Sequence, residues 1–343
     1  MNSNEASPGG ARRPRIALLP GDPGGIGPEM TVKLLARPAN LDAADVLLIA
    51  DRTALACGEQ IAGESLGLAG VPSLDDVAFA PGRPAWLALD TLRGDPPVLG
   101  ECREASGRAA LEALALATDA VQRGLADAIV FAPLNKHALR LAGMDHEDEL
   151  RYLQERFAVA GFVCEFNITG GLWTSRVTSH VPLRDVAGLI TRERVAEAVT
   201  IVDRALRQSG VARPRIAVSG LNPHAGDGGS IGTEEIEVIA PAALELRGRG
   251  LDVRGPFSPD TIFLAARRGD FDAVVSMYHD QGQIAMKLMG FEQGVTLHGG
   301  LPVPVATCAS GSAFDIAGQG VAKVEGLQAA FDLCARMATR PQA

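Results

Sequence analysis

The chain has 343 residues, 47% of them apolar and 4% aromatic, and carries a formal net charge of -9 at pH 7. That length suits two domains or one large α/β unit, and abundant Gly and Ala favour helices packed closely on strands over a β-sandwich. The negative balance excludes bulk binding to nucleic acid or anionic membrane, both of which need positive surface, but it leaves small acidic substrates open.

Cys57, Cys102, Cys164, Cys308 and Cys334 are scattered with no CxxC pair. This is the usage expected of a reducing cytoplasm, not of a disulfide framework or a zinc–thiolate site. Residues 1–14 are polar, lack the apolar core of a signal peptide and read as a loose tail. No apolar run approaches 18 residues, so no membrane span is expected.

RIALLP (15–20) reads as a buried parallel strand feeding GDPGGIGPEM, a glycine-rich turn into a helix. VLLIAD (46–51) is a second strand, and ALEALALATDAVQRG (110–124) has helical spacing and stops at a glycine. ADAIVFAPLNK (126–136) is a strand ending in a polar turn. A helix around 147–159, a strand near 173–179 and a helix over 192–210 follow. RIAVSGLNPHAGDGG (215–229) is strand then loop, 235–250 is helix then glycine stop, and DAVVSMYHDQG (272–282) is strand then loop. This alternation predicts a doubly wound, largely parallel α/β sheet, whose ligands sit beyond the carboxyl ends of its strands. The polar clusters GDPGG, APLNKH, TSH, GLNPHAGDGG and YHDQG fall at those ends.

Three of the six histidines, His180, His224 and His279, directly follow strands. Imidazole is the commonest metal-ligating side chain, and three with an open position make a catalytic divalent-metal site. Separations of 44 and 55 residues suit one ligand from each of three strand ends; an ordinary backbone-bonded loop histidine is the alternative for each. Lys287 lies eight residues past His279. If a short helix begins after Gly282, Lys287 points back to the strand end and serves as acid or base near a cation. Asp260, after GPFSPD, is expected as a helix cap that also binds ligand. GDPGGIGPE and GSAFDIAGQGVA (311–322) read as close-packed turns, either of which suits a ligand contact.

Taken in register, GDPGGIGPE, APLNK, TSHVPLRDVAGLIT, GLNPHAGDGGSIGTEEI, GPFSPDTIF, MYHDQGQIAMKLMGF and GSAFDIAGQG resemble the 4-hydroxythreonine-4-phosphate dehydrogenase (PdxA) family, over residues 15–325. The resemblance implies a two-domain α/β/α fold like isocitrate and isopropylmalate dehydrogenases, with a cleft between the domains. On that pattern, 15–135 plus 295–343 form the first domain and 136–294 the second. It also implies a homodimer with the metal site at its interface, and His180, His224 and His279 as ligands to Zn, Mn, Co or Mg. His146 is implied as the substrate-orienting histidine, and Asp260, Asp280 and Lys287 as substrate contacts. Gly311, Ser312, Ala313 and Asp315 are implied in the NAD or NADP loop. The implied chemistry is metal-dependent oxidation of a hydroxy acid with loss of CO2, Lys287 shuttling the proton beside Asp280.

The phosphate half of the implied site departs from the family. A family GHTE motif reads DHEDE here, with Glu147 in place of threonine. The family segment GVNxTLGLPFIRTS reads GVTLHGGLPVPVATC, with Thr296 where asparagine and Val305 where arginine are expected, and Ser310 replaces a loop histidine. Lost donors and an added carboxylate point to a non-phosphorylated substrate such as a cis-dihydrodiol carboxylate. Arg176, four residues before His180 on an expected strand, and Arg151 are candidates to hold a carboxylate. The alternatives are the pyridoxal-phosphate pathway enzyme and a catalytically silent metabolite-binding protein.

Overall fold

The computed structural model describes residues 12–290 and 294–339. Most of the expected tail, 1–14, lies outside them, as does Phe291 of the MYHDQGQIAMKLMGF segment. Twelve strands form one sheet: β1 (Arg15–Leu19), β2 (Asp45–Asp51), β3 (Gly70–Val71), β4 (Ala85–Leu89), β5 (Ala128–Phe131), β6 (Cys164–Thr169), β7 (Leu172–Arg176), β8 (Arg215–Ser219), β9 (Asp252–Phe257), β10 (Ala273–Ser276), β11 (Val295–Gly299) and β12 (Val305–Cys308). Their order is β3-β4-β2-β1-β5-β12-β11-β6-β7-β10-β8-β9. Pairings are parallel except around the centre, where β12–β11, β11–β6 and β6–β7 are antiparallel. β11 therefore joins the strands on its two sides, β12 and β6.

Both faces of the sheet are covered, as an α/β sheet requires. Ile16, Leu18, Val46, Leu48, Ala128 and Val130 pack in one core on one face, and the alternate residues Ala17, Leu19, Leu47, Ile49, Ile129 and Phe131 pack in a second core on the other. The first core runs across the whole sheet, taking in Phe166, Val295, Leu297 and Ala306 of the central strands and Ile216, Val218 and Val275 beyond them. The opposite face has two separate cores, the second built on Leu172, Ala217, Val274 and Met286. Between those two cores the central strands turn Thr307, Thr296, Asn167, Glu165 and Arg176 outward. Period-2 alternation thus sends apolar side chains to the continuous core and polar ones to a gap on the other face.

Two expected boundaries change. TSRVTSH is not a continuous strand: β7 stops at Arg176, and His180 lies beyond it in irregular backbone. The helix after β10 begins at His279 itself and runs to Leu288, with Tyr278 at its N-cap. Strands β6, β9, β11 and β12 lack an unbroken apolar run and were not expected; CEFNIT of β6 and VTLHG of β11 alternate apolar and polar residues instead.

Candidate active site

β7, β10 and β8 are parallel neighbours, so the residues that follow them share one sheet edge. His180 and His279 meet there, ring centroids 5.6 Å apart. Each is held at Nδ1 by a carboxylate: Glu147 at His180, and Asp280 at His279 at 2.7 Å. Such a carboxylate fixes the ring and leaves Nε2 as the free donor atom, the arrangement of a metal-ligating histidine. Both imidazoles therefore fit a divalent ion. His224 follows β8 at the same edge but is not among the residues lining the cavity beside this pair.

His224 instead neighbours Asp260, whose carboxyl is held below the usual range by the Ser258 hydroxyl, its own backbone and His224. Asp260 is not the expected cap; Thr261 precedes the helix Ile262–Arg267. The His224 loop turns left-handed over five residues, with φ of 53°, 53°, 80°, 44° and 65° from His224 to Gly228. Such backbone costs about 1 kcal/mol or more at each non-glycine position. The buried Glu235 carboxylate offsets it by accepting from the backbone N–H of Leu221 and Asn222, each at 2.7 Å, and from Asn222 Nδ2 at 2.9 Å. Glu235 opens a π-turn, Glu235–Ile239, a feature often found at functional positions.

Against the His180–His279 pair lies a cavity of about 320 Å³. His279, Gln283 and Lys287 repeat at intervals of four along one helix, so all three face it. Because the helix starts at His279, Lys287 is carried to the cavity without the later start at Gly282. Asn135 accepts from Ala138 N at 2.9 Å, capping Lys136–Leu141 and setting Lys136 on the cavity wall. Thr296 and Ser310 line the cavity as well. Lys136, Glu149, Glu165, Asn167, Gln283 and Thr307 line it without having been singled out in sequence. The quoted APLNK and YHDQGQ segments carried a signal only for Lys136 and Gln283.

Several residues expected at the site are placed elsewhere. His146 is not in the cavity lining; its Nε2 pairs with Glu155 at 2.8 Å and its ring meets Tyr152 edge-on, because both lie on the helix that follows. Glu147 is turned to His180 and does not face the cavity. Arg176 is no surface arginine: it is 4% exposed, pairs with Glu165 at 2.6 Å and donates to Asn167 at 2.9 Å and Ser179 at 2.8 Å. Arg151 is exposed and bonds Gln154. Val305 is fully buried in the apolar core.

The two glycine-rich segments pack together. Ile26 N donates to the Ser312 carbonyl at 3.0 Å, and a side chain at Gly25 would meet that carbonyl at 2.7 Å. Glu29 accepts from Lys33 at 2.6 Å and from Ala322 N at 2.8 Å, tying the first helix to the end of the second segment. Asp22 is 1% exposed; its Oδ1 accepts from Gly24 N at 2.8 Å, while Asp22 Oδ2 and Ser312 Oγ are buried without partners. Burial pushes the Asp22 carboxyl up to about 6, against the opposing Gly24 bond. Orphaned polar atoms on two touching glycine-rich turns fit a polar cofactor. Gly311, Ala313 and Asp315 belong to the same segment, Ala313 in the left-handed region at φ 43°.

The sequence profile of the family described as pyridoxal phosphate biosynthetic protein PdxA matches residues 43–334. A Pseudomonas aeruginosa protein provisionally named 4-hydroxythreonine-4-phosphate dehydrogenase 2 is 51% identical over 330 residues, covering 94% of this chain and 97% of that protein. The D-threonate 4-phosphate dehydrogenase of Salmonella typhimurium is 36% identical over 329 residues, covering 94% and 98%. The solved 4-hydroxythreonine-4-phosphate dehydrogenase of Burkholderia phymatum superposes with a TM-score of 0.80 at 35% identity, covering 96% and 100%. A terephthalate 1,2-cis-dihydrodiol dehydrogenase of Burkholderia xenovorans superposes with 0.66 at 30% identity, covering 92% and 96%.

Proposed function

The chain belongs to the PdxA family, and from that premise we propose that it is an NAD(P)-dependent dehydrogenase acting on a CH–OH group. Its substrate, on this reading, is a 4-phosphorylated four-carbon hydroxy acid, the class named in relatives that act on 4-hydroxythreonine 4-phosphate and D-threonate 4-phosphate. The observation that carries it is the cavity where two strand-end imidazoles, His180 and His279, meet two lysines, Lys136 and Lys287.

The relatives favour a phosphorylated substrate over the non-phosphorylated one expected from sequence. One support for the latter is weaker in the fold, since Glu147 is engaged by His180 and is not among the cavity-lining residues. The lysines supply positive charge there instead. The buried Val305 and the likeness to the dihydrodiol dehydrogenase favour the non-phosphorylated acid as the second reading.

His180 and His279 would hold a divalent ion, with Glu147 and Asp280 fixing their rings. When bound, that ion would lower the pKa of the reacting alcohol and hold developing negative charge, and a nicotinamide cofactor would supply the hydride acceptor. Lys287 moves the hydroxyl proton at Nζ. Gln281 accepts from Met277 N at 2.7 Å and donates to the Gly220 carbonyl at 2.8 Å, locking the ends of β10 and β8 together. Where the oxidised carbon is β to the carboxylate, the keto acid loses CO2. We further place the active unit as a homodimer in which His224 of the partner subunit completes the ligand set.

NADH formation by the metal-supplemented chain tests the reading with 4-hydroxythreonine 4-phosphate, D-threonate 4-phosphate, their unphosphorylated forms and a cis-dihydrodiol carboxylate. Turnover of a phosphorylated acid with kcat/KM above about 10^4 M⁻¹ s⁻¹, ordinary for a true substrate, is the expected result. Turnover confined to the unphosphorylated acids would overturn it.

A further inference from the structure

Glu149 and Glu165 of the cavity lining form, with His298, a second cluster of ionisable groups that the proposed reaction does not use. His298 on β11 is 2% exposed, and neither ring nitrogen has a hydrogen-bond partner. It stands opposite Glu165 of β6 in the antiparallel register. Glu149, first residue of the helix Glu149–Arg156, is also buried, and its Oε2 has no partner. One ligand atom from each of Glu149, Glu165 and His298 lies within 4.8 Å of the other two. Buried polar atoms left unpaired are costly, and a buried carboxylate and an imidazole aimed at one point call for an occupant between them.

We propose that Glu149, Glu165 and His298 bind a first-row divalent cation, at a site built from different residues than the His180–His279 pair. One imidazole and two carboxylates suit Mn, Fe, Co or Zn. Donors at about 2.1 Å from an ion must approach each other to about 3 Å, which rotation of the two glutamate side chains supplies. Arg176 provides the outer support such a ligand needs. It donates to Glu165 Oε2 at 2.6 Å and is itself fixed by Asn167 and Ser179. Burial pushes the Glu165 carboxyl up, but His298, Arg176 and Lys136 outweigh it and hold it below the usual range. Arg176 and Lys136 also offset part of the carboxylate charge, which makes the site weaker than one of bare carboxylates.

The location gives the ion a use. The β11–β12 register runs to Leu297–Ala306, and its next rung sets His298 opposite Val305, where the resemblance calls for arginine. A cation bound there supplies positive charge next to the cavity in place of that side chain. This use rests on the anionic substrate proposed above; the binding itself does not.

Titration of metal-free full-length protein with Mn²⁺, reading free ion by electron paramagnetic resonance, tests the site. Wild type is expected to bind two ions per chain. His279→Ala keeps the ion at this site, whereas His298→Ala and the near-isosteric Glu149→Gln lose it and keep the other. Glu149→Gln decides the matter where His298→Ala fails to fold. Should His279→Ala change nothing while Glu149→Gln abolishes all binding, this site stands and the His180–His279 reading fails. Undiminished Mn²⁺ binding in both Glu149→Gln and His298→Ala, or a wild-type stoichiometry of one that His279→Ala removes, overturns the proposal.

Discussion

Asp22 and Lys287 show what single residues are set to do. The Asp22 carboxyl is raised from 3.8 to about 6 by burial, so the folded state holds its proton more tightly than the unfolded chain. Its effect on stability is therefore absent at low pH and grows as pH rises through the window from about 4 to 6, destabilising the fold by up to about 3 kcal/mol above it. We predict that Asp22→Asn, which keeps the acceptor for Gly24 N, raises the urea midpoint at pH 7.5 and leaves it nearly unchanged at pH 4. Equal shifts at the two pH values would contradict this account. For Lys287, replacement by Met preserves the apolar stem and is predicted to lower kcat by about 10²–10⁴-fold, the usual contribution of general acid–base catalysis, measured by steady-state NADH formation. An unchanged kcat would remove Lys287 from proton transfer. Lys287 was legible because it follows a strand-end histidine at helical spacing. Asp22 was not, because nothing in GDPGG tells a buried carboxylate with an orphaned oxygen from a turn residue.

At the scale of elements, the His224 loop depends on Glu235. Three non-glycine residues at positive φ are held by one buried carboxylate that takes three hydrogen bonds. Glu235→Ala leaves the part-buried N–H groups of Leu221 and Asn222 without this acceptor, at a cost of about 1–3 kcal/mol each in the unrelaxed case, while Asn222 Nδ2 keeps its bond to Glu234. We predict a loss of at least 2 kcal/mol in unfolding free energy and a loss of metal-dependent activity, read by urea denaturation and by turnover. A variant that stays stable and fully active would show that the loop does not need this clamp. Such a clamp was beyond the sequence because Glu235 sits in a helical run and reads as a surface residue. Apolar strands β1, β2, β5, β8 and β10 were legible from their unbroken runs. β6, β11 and β12 were not: as CEFNIT, VTLHG and VATC they put polar residues on one face, and only the gap between the two cores on that face explains why. The same blindness hid Glu165, Asn167 and Thr307 from the candidate site, whereas the strand-end histidines stood out.

For the whole molecule, one core spans the sheet on one face while two cores divide the other, and the cavity occupies the division. We place the boundary between the two halves along β11, which pairs with both sides, so that 295–299 belong to neither half alone. His180 and His279 converge on the cavity, while His224 neighbours Asp260 and is not among the cavity-lining residues. That layout supplies two imidazoles where the resemblance implies three. Interface completion by a second copy reconciles the two, and no reading of one chain's sequence distinguishes that from a closed site within the chain. Subunit complementation tests this claim most directly. His180→Ala and His224→Ala chains are each prepared alone, then unfolded together and refolded as a mixture, with metal-dependent NADH formation measured throughout. A C2 dimer with shared sites predicts inactive parents and a mixture that recovers about one quarter of wild-type activity, since half the random dimers carry one intact site. A mixture as inactive as its parents, or a His224→Ala chain that is active alone, would contradict it.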